Sequence, residues 1–551
     1  MLFKKVVKNY SSRDRILSAL LAGTIALVLI FNIGQTILEK SKLSGNSKTY
    51  TEGLIGEIEV INPLFRDLNT LNRDITSLMY AGLTKHNPEN KTFEPDLATF
   101  TINDNSTVYT FTLKEDIFWH DGKPVTIDDV LFTYKTIQSP DFKNVALRQS
   151  LSSVTIENSA INEIQFTLKS PNAFFLSQTD IGILPKHIYQ DVPISEIGQE
   201  VQLNKPELLV GSGRYYLDEI ELVNPKLNRI VLKQYKNYHG LPSSIKTVRF
   251  FIFPDTESLI TTQASLNAIN NFPNELASQI NPNSFKTKEY LLPQYTAIFL
   301  NIDKQTLVSR NLRVVLKRVA NAIDFEKILL DKQSVSRPFF LYETIKDNTE
   351  LNPTIIEALL EDDGYNINTD TGFAELNGEP LILSLLVQNF TNNQERNDEY
   401  KILVENLVKE YKKIGIQIKP QYYEADTFAK LLAAREFDLV LYGHSLGTDL
   451  DSFSFWHSSQ TGITGLNISN YRNIATDSLL ERVRVTNDIQ ERNDLLLKIN
   501  EKLVADVPAI FLYTDKHLFM FDNRIKNRKI LSSYAFSSDR FYDIENWELD
   551  N

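Results

Sequence analysis

The stretch that most constrains this chain runs from Tyr80 to Ile137. Val108–Leu113 alternates strictly, with Tyr109, Phe111 and Leu113 on one face and Val108, Thr110 and Thr112 on the other, which predicts a strand with one buried face. Asp104, Asn105 and Ser106 supply a turn before it, and His120-Asp121-Gly122 supplies another after it. Thr126 followed by Asp129 reads as a helix start, because the threonine hydroxyl can satisfy a backbone N–H that the first turn leaves unpaired. Val130, Tyr134 and Ile137 recur at helical spacing, and Ser139-Pro140 ends the helix. Strand, turn, strand and capped helix are the elements of a mixed α/β chain.

The same stretch carries a resemblance. Tyr80-x-Gly82-Leu83, Pro95-Asp96-Leu97-Ala98, Tyr109-Thr110-Phe111-x-Leu113 and Trp119-His120-Asp121-Gly122-x-Pro124-Val125-Thr126-x-Asp128-Asp129-Val130 follow in an order that resembles the family 5 extracellular solute-binding proteins. These are the oligopeptide, dipeptide and nickel receptors of bacterial ABC importers. The likeness continues through Ile61-Asn62-Pro63, Pro185-Lys186-His187, Gly211-Ser212-Gly213-x-Tyr215, Ile323-Asp324 and Trp456-His457-Ser458-Ser459-Gln460, over roughly residues 54–547. It implies a two-lobed, periplasmic-binding-protein-like fold with an extra small subdomain. Residues 54–85, 208–296 and 508–547 would form lobe I, 86–207 the subdomain and 297–507 lobe II, with the crossing at Ala297–Asn301.

A chain of 551 residues exceeds a single core. Residues 16–34, ILSALLAGTIALVLIFNIG, are uncharged and mostly apolar; as a helix they would span about 28 Å, close to the thickness of a bilayer's hydrocarbon core. Lys4, Lys5, Lys8, Arg13 and Arg15 precede them against Asp14 alone, which keeps the N-terminus inside. The expectation is a single-pass cell-membrane protein. It has a basic cytoplasmic arm over 1–15, an uncleaved anchor over 16–34, a linker over 35–53 and an extracellular or periplasmic remainder. The chain has no cysteine, which excludes disulfides, thiolate metal sites, a cysteine nucleophile and a lipidated N-terminal cysteine. Its net charge of −12 argues against a nucleic-acid partner. The histidines form no His-x-His or His-x-x-x-His pair, so no metal or other cofactor is expected.

One motif points elsewhere. Gly443-His444-Ser445-Leu446-Gly447 follows the apolar strand expected at Phe437–Tyr442, and Asp477 and His517 come later in the order of an α/β-hydrolase triad. Against a serine hydrolase, no His-Gly-Gly-Gly-type oxyanion segment precedes the serine, and the residues after it are bulky. The resemblance reads the same strand end as a ligand site, whose backbone pairs with a peptide while an aspartate holds its ammonium group. Asp449 is the candidate for that role and Asp451 the next, and either residue could equally cap a helix. Glu57 and Ile58, on a first strand expected within 54–65, would form the opposite wall. Gly443, His444, Ser445 and Asn467 complete the candidate ligand-binding set. The reading is a monomeric receptor that captures an oligopeptide and presents it to an ABC permease in the same membrane. The competing readings are the serine hydrolase and a receptor-fold protein used in sensing or surface scaffolding.

Overall fold

The computed structural model describes residues 48–550, apart from 59, 199–204, 224–225, 330, 340–351, 392–393, 449 and 464. The expected arm, the anchor over 16–34 and the linker as far as residue 47 lie outside the described residues. Among the described residues no helix is long and apolar enough to cross a membrane.

One mixed sheet runs through both lobes. Its central strands are Ile382–Asn389, Leu439–Ser445, Gln294–Leu300 and Ala509–Asp522, followed by Ala268–Asn270, Thr49–Ile55 and Thr247–Phe253. Ala509–Asp522 belongs to both halves. Its start pairs antiparallel with Gln294–Leu300, and its end pairs with Phe285–Leu291 and Ala268–Asn270. The chain therefore passes between the lobes inside that strand and again at Leu292-Pro293, between Phe285–Leu291 and Gln294–Leu300. This second passage lies ahead of Ala297–Asn301, where the sequence suggested it. Ala297–Leu300 is fully buried lobe II strand, whereas Pro293 has no N–H to give a ladder and breaks the pairing.

Lobe I shares one apolar core with a four-stranded sheet made of Ala98–Ile102, Val108–Leu113, Glu163–Thr167 and Thr155–Ala160. Tyr50, Leu54 and Ile252 from the large sheet pack in the same core as Tyr109, Phe111, Trp119 and Tyr134. The local signals of this region are met. Tyr109, Phe111 and Leu113 are the buried face of their strand. The Asp129 carboxylate accepts the Thr126 N–H at 2.8 Å at the start of helix Ile127–Gln138. The same side chain accepts the N–H of Lys186 at 2.8 Å, which ties the Pro-Lys-His segment to this helix. His120 docks on the glycine turn, accepting from the Gly211 N–H at 3.2 Å and donating to Gly213 O at 3.0 Å. The turn needs glycine there, since a Cβ at Gly211 would lie 1.9 Å from Met79 O.

The first strand differs from expectation. It is Thr49–Ile55, parallel to Thr247–Phe253, so it begins inside the expected linker and ends before Glu57. Thr-Tyr-Thr-Glu-Gly reads as polar tether in sequence. In the fold Glu52 is buried, because Tyr50 donates to it at 2.6 Å and Arg540 binds it at 2.8 Å.

Candidate functional site

Leu439–Ser445 pairs along its whole length with Gln294–Leu300, from Leu439↔Leu300 to Ser445↔Gln294. On its other edge the parallel strand Ile382–Asn389 pairs with it only at Leu439 and Val440. The two strands then splay. From Leu441 to Ser445 that edge has no strand partner among the described residues, and a cavity of about 620 Å³ opens there, with Gln388 and Phe390 across from it. Such a position, at the carboxyl ends of diverging parallel strands, is where α/β sheets hold ligands. Lobe I closes the cavity with Ile55, Thr256, Asn271 and Phe272.

Strand alternation sorts the Gly-His-Ser segment. Leu441 lies on the face that packs with Ile298, Leu385 and Ile510, and Gly443 and Ser445 share that face on the cavity side. His444 points the other way. Its ring stacks on Phe455 with centroids 4.0 Å apart, and the Tyr295 hydroxyl donates to its Nδ1 at 3.0 Å. The cavity therefore meets His444 through its backbone.

The floor of the cavity is charged. The Lys332 ammonium lies 2.7 Å from Asp331, 3.0 Å from Asp515 and 3.2 Å from Glu399, and Glu399 also accepts the Tyr513 hydroxyl at 2.7 Å. Burial by itself would push the Lys332 pKa down, but Asp515 and Glu399 hold it well above the usual lysine range. Burial would raise Asp515, and Lys332 and Arg396 beside it bring it below the usual carboxylate value instead. His517 accepts from Gln294 Nε2 at 3.1 Å and donates from Nδ1 to Asn271 at 2.7 Å. This pattern fits a neutral ring, and burial lowers its pKa accordingly.

Several expected site residues stand apart from the cavity. Ile58 is packed in the lobe I core, and Glu57 is exposed, its carbonyl accepting from Asn69 at 2.9 Å. Neither lies on a strand, because the first strand stops at Ile55. Asn467 is fully buried and staples its own loop, donating to His457 O and Tyr471 O and accepting from the Tyr471 N–H. Asp449 lies outside the described residues. Asp451 is committed to Arg484 at 2.7 Å and accepts the Phe453 N–H at 3.1 Å. The hydrolase triad is not assembled. Asp477 accepts from the Ser458 N–H at 2.9 Å, both His517 nitrogens are engaged elsewhere, and Ser445 ends a strand that does not turn directly into a helix. Asp331, Lys332, Glu399 and Asp515 were missed from sequence. The available signal was Asp515-Lys516-His517, a polar triplet inside the apolar run from Ala509 to Phe521.

The buried histidines make stability depend on pH. Burial lowers His444 from 6.5 to about 3 and His120 to about 4. The unfolded chain therefore takes up these protons first. The stability held by the neutral rings is complete above about pH 6.5 and is lost progressively as pH falls from there to the folded values. At pH 5, His444 alone should have cost about 2 kcal/mol. Urea unfolding of His444→Phe should show a shallower loss between pH 7 and 5 than the parent chain; an equal slope would contradict the assignment.

Comparison with known proteins places this arrangement. A family model described as bacterial extracellular solute-binding proteins, family 5 Middle, matches residues 92–465. The oligopeptide-binding protein AppA of Bacillus subtilis is 26% identical over 518 residues, covering 90% of this chain and 91% of that protein. The dipeptide-binding protein of Escherichia coli is 23% identical over 457 residues, covering 76% of this chain and 80% of that protein. Among solved structures, B. subtilis AppA in complex with a nonapeptide aligns with a TM-score of 0.66 at 23% identity, covering 91% of this chain and 99% of that one. HbpA2 from Haemophilus parasuis aligns with a TM-score of 0.74 at 18% identity, covering 91% of this chain and 100% of that one.

Proposed function

Because the chain belongs to the bacterial extracellular solute-binding proteins of family 5, we propose that it is the substrate-binding component of an ABC importer. In this role it captures an oligopeptide between its two lobes and delivers it to the permease. The observation that carries this reading is the edge from Leu441 to Ser445 beside the cavity, which has no strand partner among the described residues. An extended peptide brings an N–H and a C=O at every residue, and each must find a partner when buried. A free strand edge supplies such partners without regard to side chains, and the pockets around it select among them. The cavity volume falls within the range of about 300–1,000 Å³ usual for ligand sites. Walls from both lobes mean that only the closed arrangement contacts the ligand on all sides, so binding shifts the lobes toward closure.

In this reading the ligand-facing groups are the backbone of Gly443–Ser445, the Ser445 side chain, and the Asp331 and Asp515 carboxylates at the floor. Asp449 remains the proposed ammonium partner. Residues 16–34 would anchor a monomeric receptor in the cytoplasmic membrane, with the lobes outside. Anchoring raises the receptor's effective concentration beside its permease without adding any contact.

Calorimetric titration with tri- to nonapeptides tests the reading, and saturable binding is expected. Ser445→Ala should change affinity by no more than about tenfold, the loss of one hydrogen bond. A fluorophosphonate should leave Ser445 unlabelled. Covalent labelling of Ser445 would instead favour the hydrolase.

A further inference from the structure

Two adjacent phenylalanines enter the cores of different lobes. The Phe175 ring lies 4.8 Å from Tyr109 and 5.4 Å from Phe166, inside the core that lobe I shares with its subdomain. Phe174 is only 4% exposed, yet it packs in the lobe II core with residues such as Leu495, Leu496 and Trp456. The Arg492 guanidinium lies 4.9 Å over its ring. Two hydrogen bonds flank the insertion. The Ala173 N–H donates to Arg484 O at 2.5 Å, and Asn487 Nδ2 donates to Ser106 Oγ at 2.8 Å. None of these residues lines the cavity.

Both sides of this contact are braced. On the subdomain, the Tyr109 hydroxyl donates to Asn172 O at 2.6 Å, and Asn172 Oδ1 accepts the Phe174 N–H at 3.1 Å. On lobe II, Arg484 binds Asp451 at 2.7 Å and lies 4.0 Å over the Phe453 ring. Asp451 and Phe453 follow the strand Leu439–Ser445 in the chain.

The mechanical consequence follows from connectivity. The chain joins the lobes at Leu292-Pro293 and within Ala509–Asp522, and the subdomain moves with lobe I because they share a core. A rotation about those crossings must draw Phe174 out of lobe II. We propose that Phe174, with the Ala173–Arg484 and Ser106–Asn487 bonds, is a clasp that sets the balance between open and closed lobes. Ligand residence is thereby governed by side chains that do not touch the ligand. The effect on residence rests on the receptor reading above, but the effect on lobe position does not.

The absence of cysteine makes the test direct. Ile161 and Ile474, 94% and 88% exposed, can each be changed to cysteine for a donor–acceptor dye pair on the subdomain and lobe II of the full-length chain. Adding Phe174→Ala should lower the ratio of closed to open molecules by about tenfold or more, and adding Asn487→Ala, at an exposed position, by about threefold. A labelled nonapeptide pool should leave Phe174→Ala about tenfold faster than the parent, because ligand leaves through the open form and the liganded variant opens more often. Unchanged energy-transfer distributions in both variants would overturn the clasp. A shifted distribution together with no peptide bound by the parent chain would support the clasp and sink the peptide reading.

Discussion

Arg540→Ala is expected to destabilise lobe I by about 3–5 kcal/mol, the usual consequence of leaving buried charges without their partner. Arg540, Glu52 and Asp74 are 1%, 0% and 1% exposed at the side chain. All five guanidinium N–H groups are used. Nε donates to Glu52 at 3.1 Å and Nη2 to Glu52 and Asp74, each at 2.8 Å; Nη1 donates to Asp74 at 2.8 Å and to Ser537 O at 2.7 Å. Burial raises the Glu52 pKa, with Arg540 opposing it, so removing the guanidinium leaves two carboxylates that the core cannot hydrate. Arg540→Lys should recover little, since a single ammonium cannot match the planar fork. Arg540→Met combined with Glu52→Gln and Asp74→Asn should recover part of the loss, because the unpaired charge is then gone. Denaturant unfolding checks all three variants. A loss below about 1 kcal/mol for Arg540→Ala would place the network among weak surface pairs.

The second large effect concerns binding. Gly443→Val is expected to weaken peptide affinity by about thirtyfold to a hundred-and-fiftyfold while leaving the fold intact. A Cβ at Gly443 would stand 3.2 Å from Tyr295 O and 3.9 Å from Thr296 Oγ1, so the neighbouring strand must give by a few tenths of an ångström, and the valine would occupy the cavity side of the strand. There it would hold a ligand backbone away from the open edge. Losing two or three peptide hydrogen bonds at about 1 kcal/mol each gives the stated factor. Titration of the variant with the peptides that bind the parent checks this, with the thermal midpoint as control for folding. Unaltered affinity would move the ligand off this edge.

What the sequence disclosed follows the range of the interactions involved. The strand Val108–Leu113 and the Thr126–Asp129 cap were legible because their determinants lie within a few residues of each other. The glycine turn at Gly211 and Gly213 was legible only through its resemblance, since Met79, which demands glycine there, is remote in sequence. Glu52 was misread as linker because the guanidinium that permits its burial lies 488 positions away. Asp515 escaped notice for the same reason: its partner Lys332 comes from a separate short strand, Lys332–Ser334. His444 illustrates register. The strand expected at Phe437–Tyr442 runs instead from Leu439 to Ser445, and alternation then turns the histidine ring away from the cavity. Asn467 was placed in the candidate ligand-binding set, but loops that fold tightly spend such groups on their own backbone.

A receptor that holds peptide in the cleft beside Leu441–Ser445 should leave the cell with its ligand bound. Native mass spectrometry of the purified parent chain and of Gly443→Val, both taken from cells grown on peptide-rich medium, tests it most directly. The parent chain is expected to be heavier than its sequence mass by the masses of short peptides, which are released intact on unfolding, and the variant to lack them. A parent chain at its bare sequence mass that also fails to gain mass when mixed with a tri- to nonapeptide pool would contradict the peptide reading.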